Sequence, residues 1–186
     1  MSDYMVEQTT GQTAVRYKPI VVAIHWLTAA LILLQVYLGF AFSSFPKGTP
    51  ERAELFTWHE TVGVTILILA LVRLAVRLMN PPSPFPEDLP RWERFFAVWN
   101  HRIFYFLIIA LPLTGLMAVS KGGPTTAIIG GLTVPTIPLP ALGEAHEPLV
   151  FATIFLLLLH VGVALKHQFI DRGPSADRMW PFRSTR

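Results

Sequence analysis

Four long stretches of this chain carry almost no charge, and they constrain its fold more than any other feature. From Pro19 to Pro46 no residue carries a formal charge. As a helix rising 1.5 Å per residue, such a segment is long enough to cross a hydrocarbon core of roughly 30 Å. A cleaved signal peptide is the alternative for this stretch, but its apolar run is longer than a typical signal core. A second span runs near Leu55 to Met79, with Glu60 near one end and Arg73 and Arg77 near the other. A third runs from about Phe95 to Val119, uncharged from Ile103 to Ser120. A fourth runs from about His146 to Ile170, uncharged from Pro148 to Leu165.

Gly122 to Gly143 is also uncharged, yet it holds Pro124, Pro135, Pro138 and Pro140 and five glycines. Unpaired backbone cannot cross lipid, so this segment reads as a long apolar loop resting on the membrane surface or on the bundle. The expected fold class is an all-α membrane protein, with four transmembrane helices in an up-down-up-down bundle. Residues 1–15 form a polar tail, 16–172 the membrane domain, and 173–186 a basic tail. The Pro-rich stretch Asn80 to Pro90 links the second and third spans.

Charged residues make up 15% of the chain against roughly 25% in soluble proteins, which agrees with an integral membrane protein. A net charge of +3 raises the question of nucleic acid, but the basic residues flank apolar spans and form no single stripe. Nucleic acid is set aside as a partner. With the N-terminus inside, twelve of the fifteen Lys and Arg residues fall on the inner side, and Lys47, Arg52 and Lys121 on the outer. Basic residues gather on the cytoplasmic side, so both termini are expected in the cytoplasm of a bacterial cell, with the bundle in its inner membrane.

There are no cysteines. That excludes disulfides, thiolate zinc sites, iron–sulfur clusters and covalently attached haem of the c type. It leaves six histidines, all inside or beside the apolar spans: His25, His59, His101, His146, His160 and His167. Imidazole at membrane depth is costly, so such residues are paired, ligating or proton-carrying. In the expected topology His59 and His146 lie near the outer starts of spans two and four, and His25 near the inner start of span one. His160 sits two heptads below His146, about 21 Å deeper on nearly the same face. Four histidines therefore sort into an outer pair, His59 with His146, and an inner pair, His25 with His160. Each pair draws on two helices, as a flat cofactor clamped between helices requires. Two non-covalent haem b groups stacked across the bilayer fit this arrangement. Two axial imidazoles on each iron would pass electrons and leave no easy site for oxygen.

Taken one at a time, each of these histidines is as well explained by interfacial hydrogen bonding. A zinc or di-metal site would need converging carboxylates, and Glu60 and Glu147 do follow His59 and His146. Consecutive helical residues point about 100° apart, however. For haem propionates, Arg73 is the inner candidate, fourteen residues below His59, and Lys121 is an outer one. Arg73 is otherwise an anchoring residue at the inner interface. His101 and His167, both at the inner end, are candidates to hydrogen-bond a quinone carbonyl, with plain interfacial roles as the alternative. Gly39, Gly63, Gly115 and Gly162 in the span interiors suit either a flat macrocycle or close helix packing.

In the order Ile24-His25-Trp26, Trp58-His59-Glu60, Val72-Arg73-Leu74 with Arg77-Leu78, Ala110-Leu111-Pro112-Leu113-Thr114-Gly115, Ala145-His146-Glu147, and Leu159-His160-Val161 running on to Ala164-Leu165-Lys166-His167, the chain resembles the bacterial cytochrome b561 family, in its four-helix di-haem branch. The resemblance covers about Arg16 to Arg172. It implies two haem b groups with His25, His59, His146 and His160 as axial ligands, in the cytoplasmic membrane. It also implies electron exchange with membrane quinone, and for some members with superoxide outside. Related cytochromes serve as membrane subunits of hydrogenases.

Two features depart from the family pattern. The outer face sets only Lys47, Arg52 and Lys121 against Glu51, Glu54, Glu144 and Glu147, which steers an anion poorly. Lys166 stands before His167 where a second histidine is frequent. The expected function is an electron-carrying cytochrome between an outer donor and membrane quinone, possessing enzymatic activity if superoxide is that donor. Its rivals are a relay subunit docked on a dehydrogenase, hydrogenase or periplasmic redox protein, and, more remotely, a metal or proton transporter.

Overall fold

The computed structural model describes residues 18–79 and 90–171. The expected N-terminal tail, Arg16, most of the linker between the second and third spans, and the basic C-terminal tail lie outside the described residues. Helix α1 spans Pro19–Ser43, α2 Pro50–Met79 and α3 Arg91–Ala118. After α3 the chain forms a short 3₁₀ turn, Val119–Gly122, and strands β1 Thr125–Ile128 and β2 Leu132–Pro135. A one-turn helix α4, Pro140–Gly143, precedes α5, His146–Lys166, which runs on into the π-helical turn His167–Asp171.

Four of these helices are long and apolar enough to cross a membrane, and they correspond to the four spans read from the sequence. Their starts follow simple rules. Pro19 and Pro50 open α1 and α2, where proline loses no helical hydrogen bond. Gly48 turns the chain between them at φ 88°, a conformation other residues resist. Arg52 then closes α1 from the neighbouring helix. Its Nη1 donates to the carbonyls of Phe42 at 3.0 Å and Phe45 at 2.9 Å, satisfying acceptors that the helix end leaves open.

The helices pack in sequence: α1 on α2, α2 on α3, and α3 on α5. The interior is thin. Among the described residues the buried apolar side chains are Leu38, Val62, Ile66, Ala70, Leu107 and Ile108, and the main cluster joins Leu38 of α1 to Val62 and Ile66 of α2. Large side chains instead face outward on every spanning helix, with Leu33 62%, Phe106 63% and Leu158 68% exposed. In water so much apolar surface would associate, whereas in lipid it is the solvent-facing side. Two buried hydroxyls are satisfied within their own helices, Thr28 on Ile24 O at 2.7 Å and Thr153 on Leu149 O at 2.7 Å.

The segment after α3 differs from the apolar loop expected for it. β1 and β2 form an antiparallel hairpin in the register Thr125↔Pro135 to Ile128↔Leu132. Gly130 and Gly131 turn it at φ 80° and 73°. The hairpin is fastened to α2: Thr126 Oγ1 donates to Glu60 Oε1 at 2.6 Å, and Ile129 N donates to Thr61 Oγ1 at 3.0 Å. Glycine at 143 lets α4 lie on the end of α3, since a Cβ there would overlap the backbone of Ala118. Pairing the strand groups within the segment is what lets it rest on the bundle.

Candidate functional site

The histidines of the outer level come together. His59 of α2 and His146 of α5 face each other with ring centres 6.3 Å apart and planes at 83°. His146 is held by α3. Its Nδ1–H donates to Leu111 O at 3.0 Å and lies 3.2 Å from Thr114 Oγ1. That hydroxyl in turn donates to Ala110 O and Leu111 O, each at 2.9 Å. Fixing the proton on Nδ1 leaves Nε2 with its lone pair, the form in which an imidazole binds a metal. His59 accepts a hydrogen bond on Nε2 from the Gln35 side-chain amide of α1 at 3.1 Å, and its ring meets that of Phe42 edge-on at 5.2 Å. Its buried Nδ1 has no hydrogen-bond partner among the described residues.

Glycines make room for both rings. A Cβ at Gly39 would lie 3.3 Å from His59 Cε1, and one at Gly115 would lie 3.4 Å from His146 Cε1. A Cβ at Gly63 would press on the Gln35 amide at 3.2 Å. Gly162 meets nothing within 4 Å, so it has no comparable part. These residues fit a planar iron cofactor at the outer level on two counts: a lone pair prepared on the His146 ring, and ring spacing. Two metal–imidazole bonds of roughly 2 Å each, plus the half-width of each ring, come close to the observed separation.

The inner level draws on four helices. Arg73 Nη2 of α2 donates to His25 Nδ1 of α1 at 2.9 Å, and its guanidinium lies over the Tyr105 ring at 5.6 Å. The Asn100 amide of α3 donates to His160 Nδ1 of α5 at 3.0 Å, and Phe104 meets the His160 ring edge-on at 5.2 Å. His101 lies on the same end of α3 as Asn100, so this end of the bundle gathers His25, Arg73, Asn100, His101 and His160. His101 is tied to its own helix, with Nδ1 donating to Ala97 O at 2.6 Å. His167 begins the turn that follows α5, one heptad beyond His160.

Two expected partners behave differently from each other. Arg73 reaches the inner histidines, as its depth suggests. Lys121 lies on the surface and pairs with Glu144 at 3.4 Å, both side chains well exposed, an arrangement that contributes little to stability. Glu60, the carboxylate a metal site would recruit beside His59, is engaged by Thr126 of the hairpin. Among the described residues no three His, Asp or Glu side chains converge as a ligand set for a metal ion.

Sequence reasoning missed Gln35, Asn100, Thr114 and the carbonyl of Leu111. Gln35 was visible as a lone amide within an uncharged span, and Asn100 as an amide beside His101. Neither is marked by spacing alone as a histidine partner, because that depends on how the helices rotate against one another.

Comparison with known proteins shows the family. A family model described as prokaryotic cytochrome b561 matches residues 16–182. Cytochrome b561 homolog 2 of Escherichia coli (strain K12) is 28% identical over 176 residues, which cover 90% of this chain and 92% of the relative. Cytochrome b561 homolog 1 of the same organism is 26% identical over 174 residues, covering 90% and 98%. A probable superoxide oxidase, CybB, of Yersinia pestis is 28% identical over 178 residues, covering 89% and 96%.

Proposed function

The chain belongs to the prokaryotic cytochrome b561 family, a family of haem b membrane electron-transfer proteins, and from that premise we propose that it carries electrons across the bilayer between an outer donor and membrane quinone, using two haem b groups. Haem b, when bound, supplies a reversible one-electron iron couple. The residues assigned to hold it are His59 and His146 at the outer level and His25 and His160 at the inner level. The observation that carries this reading is the outer pair: two rings from different helices, 6.3 Å apart, one of them with its Nδ1 proton committed to a backbone carbonyl.

The chain's other contributions follow from the contacts described. Leu111 O and Thr114 orient the His146 ring, and Gln35 orients His59. Arg73 spends one N–H on His25 and keeps further donors of its five for a haem propionate. Lys121 is the outer candidate for a second propionate. His101 and His167 are the candidates to deliver a proton to a quinone carbonyl at the inner end. The Lys and Arg bias supports a bacterial cytoplasmic membrane with both termini inside. The name of the Yersinia relative makes superoxide a candidate outer donor.

The test is a reduced-minus-oxidised visible spectrum of the detergent-purified protein, with haem counted as the pyridine haemochrome. Two six-coordinate, low-spin b-type haems per chain are expected. His59→Ala and His146→Ala should each lose the outer haem, and His25→Ala and His160→Ala the inner one, halving the count. Four single variants that all keep two haems would overturn the ligand assignment. Quinone reduction by the isolated protein supplied with superoxide would establish it as an enzyme. Reduction that requires an added redox protein would make it a relay subunit.

A further inference from the structure

We propose that the first two turns of α3 form a binding site for the phosphate of an anionic phospholipid. Arg91, Arg94, Phe95, Val98 and Trp99 line a shallow cleft of about 300 Å³. Their spacing is that of a single helical face, so the cleft runs along α3 and its lining comes from that helix. At its upper end sit two guanidiniums one turn apart; at its lower end sit two aromatic rings, Phe95 and Trp99, tilted against each other at 5.9 Å. The cleft is open along its length, which suits a headgroup with the top of its acyl chains lying along the helix.

Depth favours a lipid. The span containing α3 runs over Arg91–Gly122, 32 residues or about 48 Å, and a hydrocarbon core takes up only roughly 30 Å of that. The uncharged part starts at Ile103, which leaves Arg91 to Arg102 at headgroup level. The rings there are turned outward, Trp92 63%, Phe95 56% and Phe96 63% exposed, as interfacial aromatics are. Arg102 lies over the Trp99 ring at 5.4 Å and adds positive charge to the same surface. Guanidiniums bind phosphate oxygens in pairs, and apolar rings below them meet acyl chains; a soluble phosphate would use the first feature and leave the second without purpose. The site depends on α3 alone and stands whether or not the haem ligands are those assigned above.

Native mass spectrometry of the haem-loaded protein, titrated with phosphatidylglycerol or phosphatidylcholine of identical chains, provides the test. Phosphatidylglycerol should bind in preference to phosphatidylcholine. Exchanging both arginines in Arg91→Gln/Arg94→Gln should reduce that preference by roughly thirtyfold, the effect of two basic contacts at a membrane surface. Arg91→Lys/Arg94→Lys should keep most of it, and Lys47→Gln, at the other end of the bundle, all of it. Retained haem reports that a variant is folded; should the double variant lose haem, the single exchanges Arg91→Gln and Arg94→Gln, each expected to cost about fivefold, take its place. An unchanged preference in the folded arginine-to-glutamine variants would overturn the proposal. So would displacement of phosphatidylglycerol by millimolar inorganic phosphate, which would assign the cleft to a soluble anion.

Discussion

An imidazole has two ring nitrogens, and what a protein does with one decides what the other can do. His146 has its Nδ1 proton fixed by Leu111 O, so its Nε2 is committed to accepting or ligating. His59 has the opposite arrangement, with Nε2 accepting from Gln35 and Nδ1 without a partner among the described residues. Gln35→Leu removes that contact and should weaken outer haem retention about tenfold, the usual scale for a group orienting a metal-bound histidine, as measured by haem transfer to an apo-acceptor. The glycines test the same level by volume. Gly39→Ala presses a methyl against the His59 ring and should reduce haem content, whereas Gly162→Ala, with open space around it, should leave haem content unchanged and raise stability by up to about 1 kcal/mol. At the inner level, Arg73→Gln takes a positive charge from His25. A nearby cation favours the reduced iron, so the midpoint potential of the inner haem should fall while the outer one stays, in a potentiometric titration. Histidine depth was legible in the sequence because heptad spacing and charge bias fix height along a helix. The side chains that bond each ring were not, because their choice depends on helix rotation, and helices that are apolar all round give no face to read.

Among the elements, the hairpin was the least legible. Thr125 to Ile128 and Leu132 to Val134 are rich in β-branched residues and flank a Gly-Gly pair, which is a hairpin signal. The surrounding prolines outweighed it, and strands this short barely register against a loop. Its attachment rests on few bonds, so one substitution should show. Thr126→Val removes the hydroxyl that bonds Glu60 and should cost about 1–2 kcal/mol locally. Hydrogen exchange of the β1 and β2 amides should rise, while the amides of α2 stay protected. The helices themselves were far more legible, since uncharged length is a coarse property that no packing detail can hide. Only their ends shifted, as with α2, which begins at Pro50 ahead of the apolar run.

For the whole molecule, four crossings were legible in the sequence and the Lys and Arg bias gave an expected orientation, while the neighbour relations emerged only in three dimensions. The orientation can be checked without interference, because the chain has no cysteine. Ser44→Cys, on the exposed end of α1, should react with a membrane-impermeant maleimide from the outside of spheroplasts before any lysis. Protection until lysis would reverse the topology. One feature of the bundle bears on how the protein comes into being. Both histidine levels draw a residue from α5, His146 for the outer and His160 for the inner, and α5 follows the other three spanning helices in the chain. A chain lacking α5 therefore brings together neither pair. On the ligand assignment proposed above, cofactor capture would wait for the insertion of α5, and bound pigment would report that all four spans are in place.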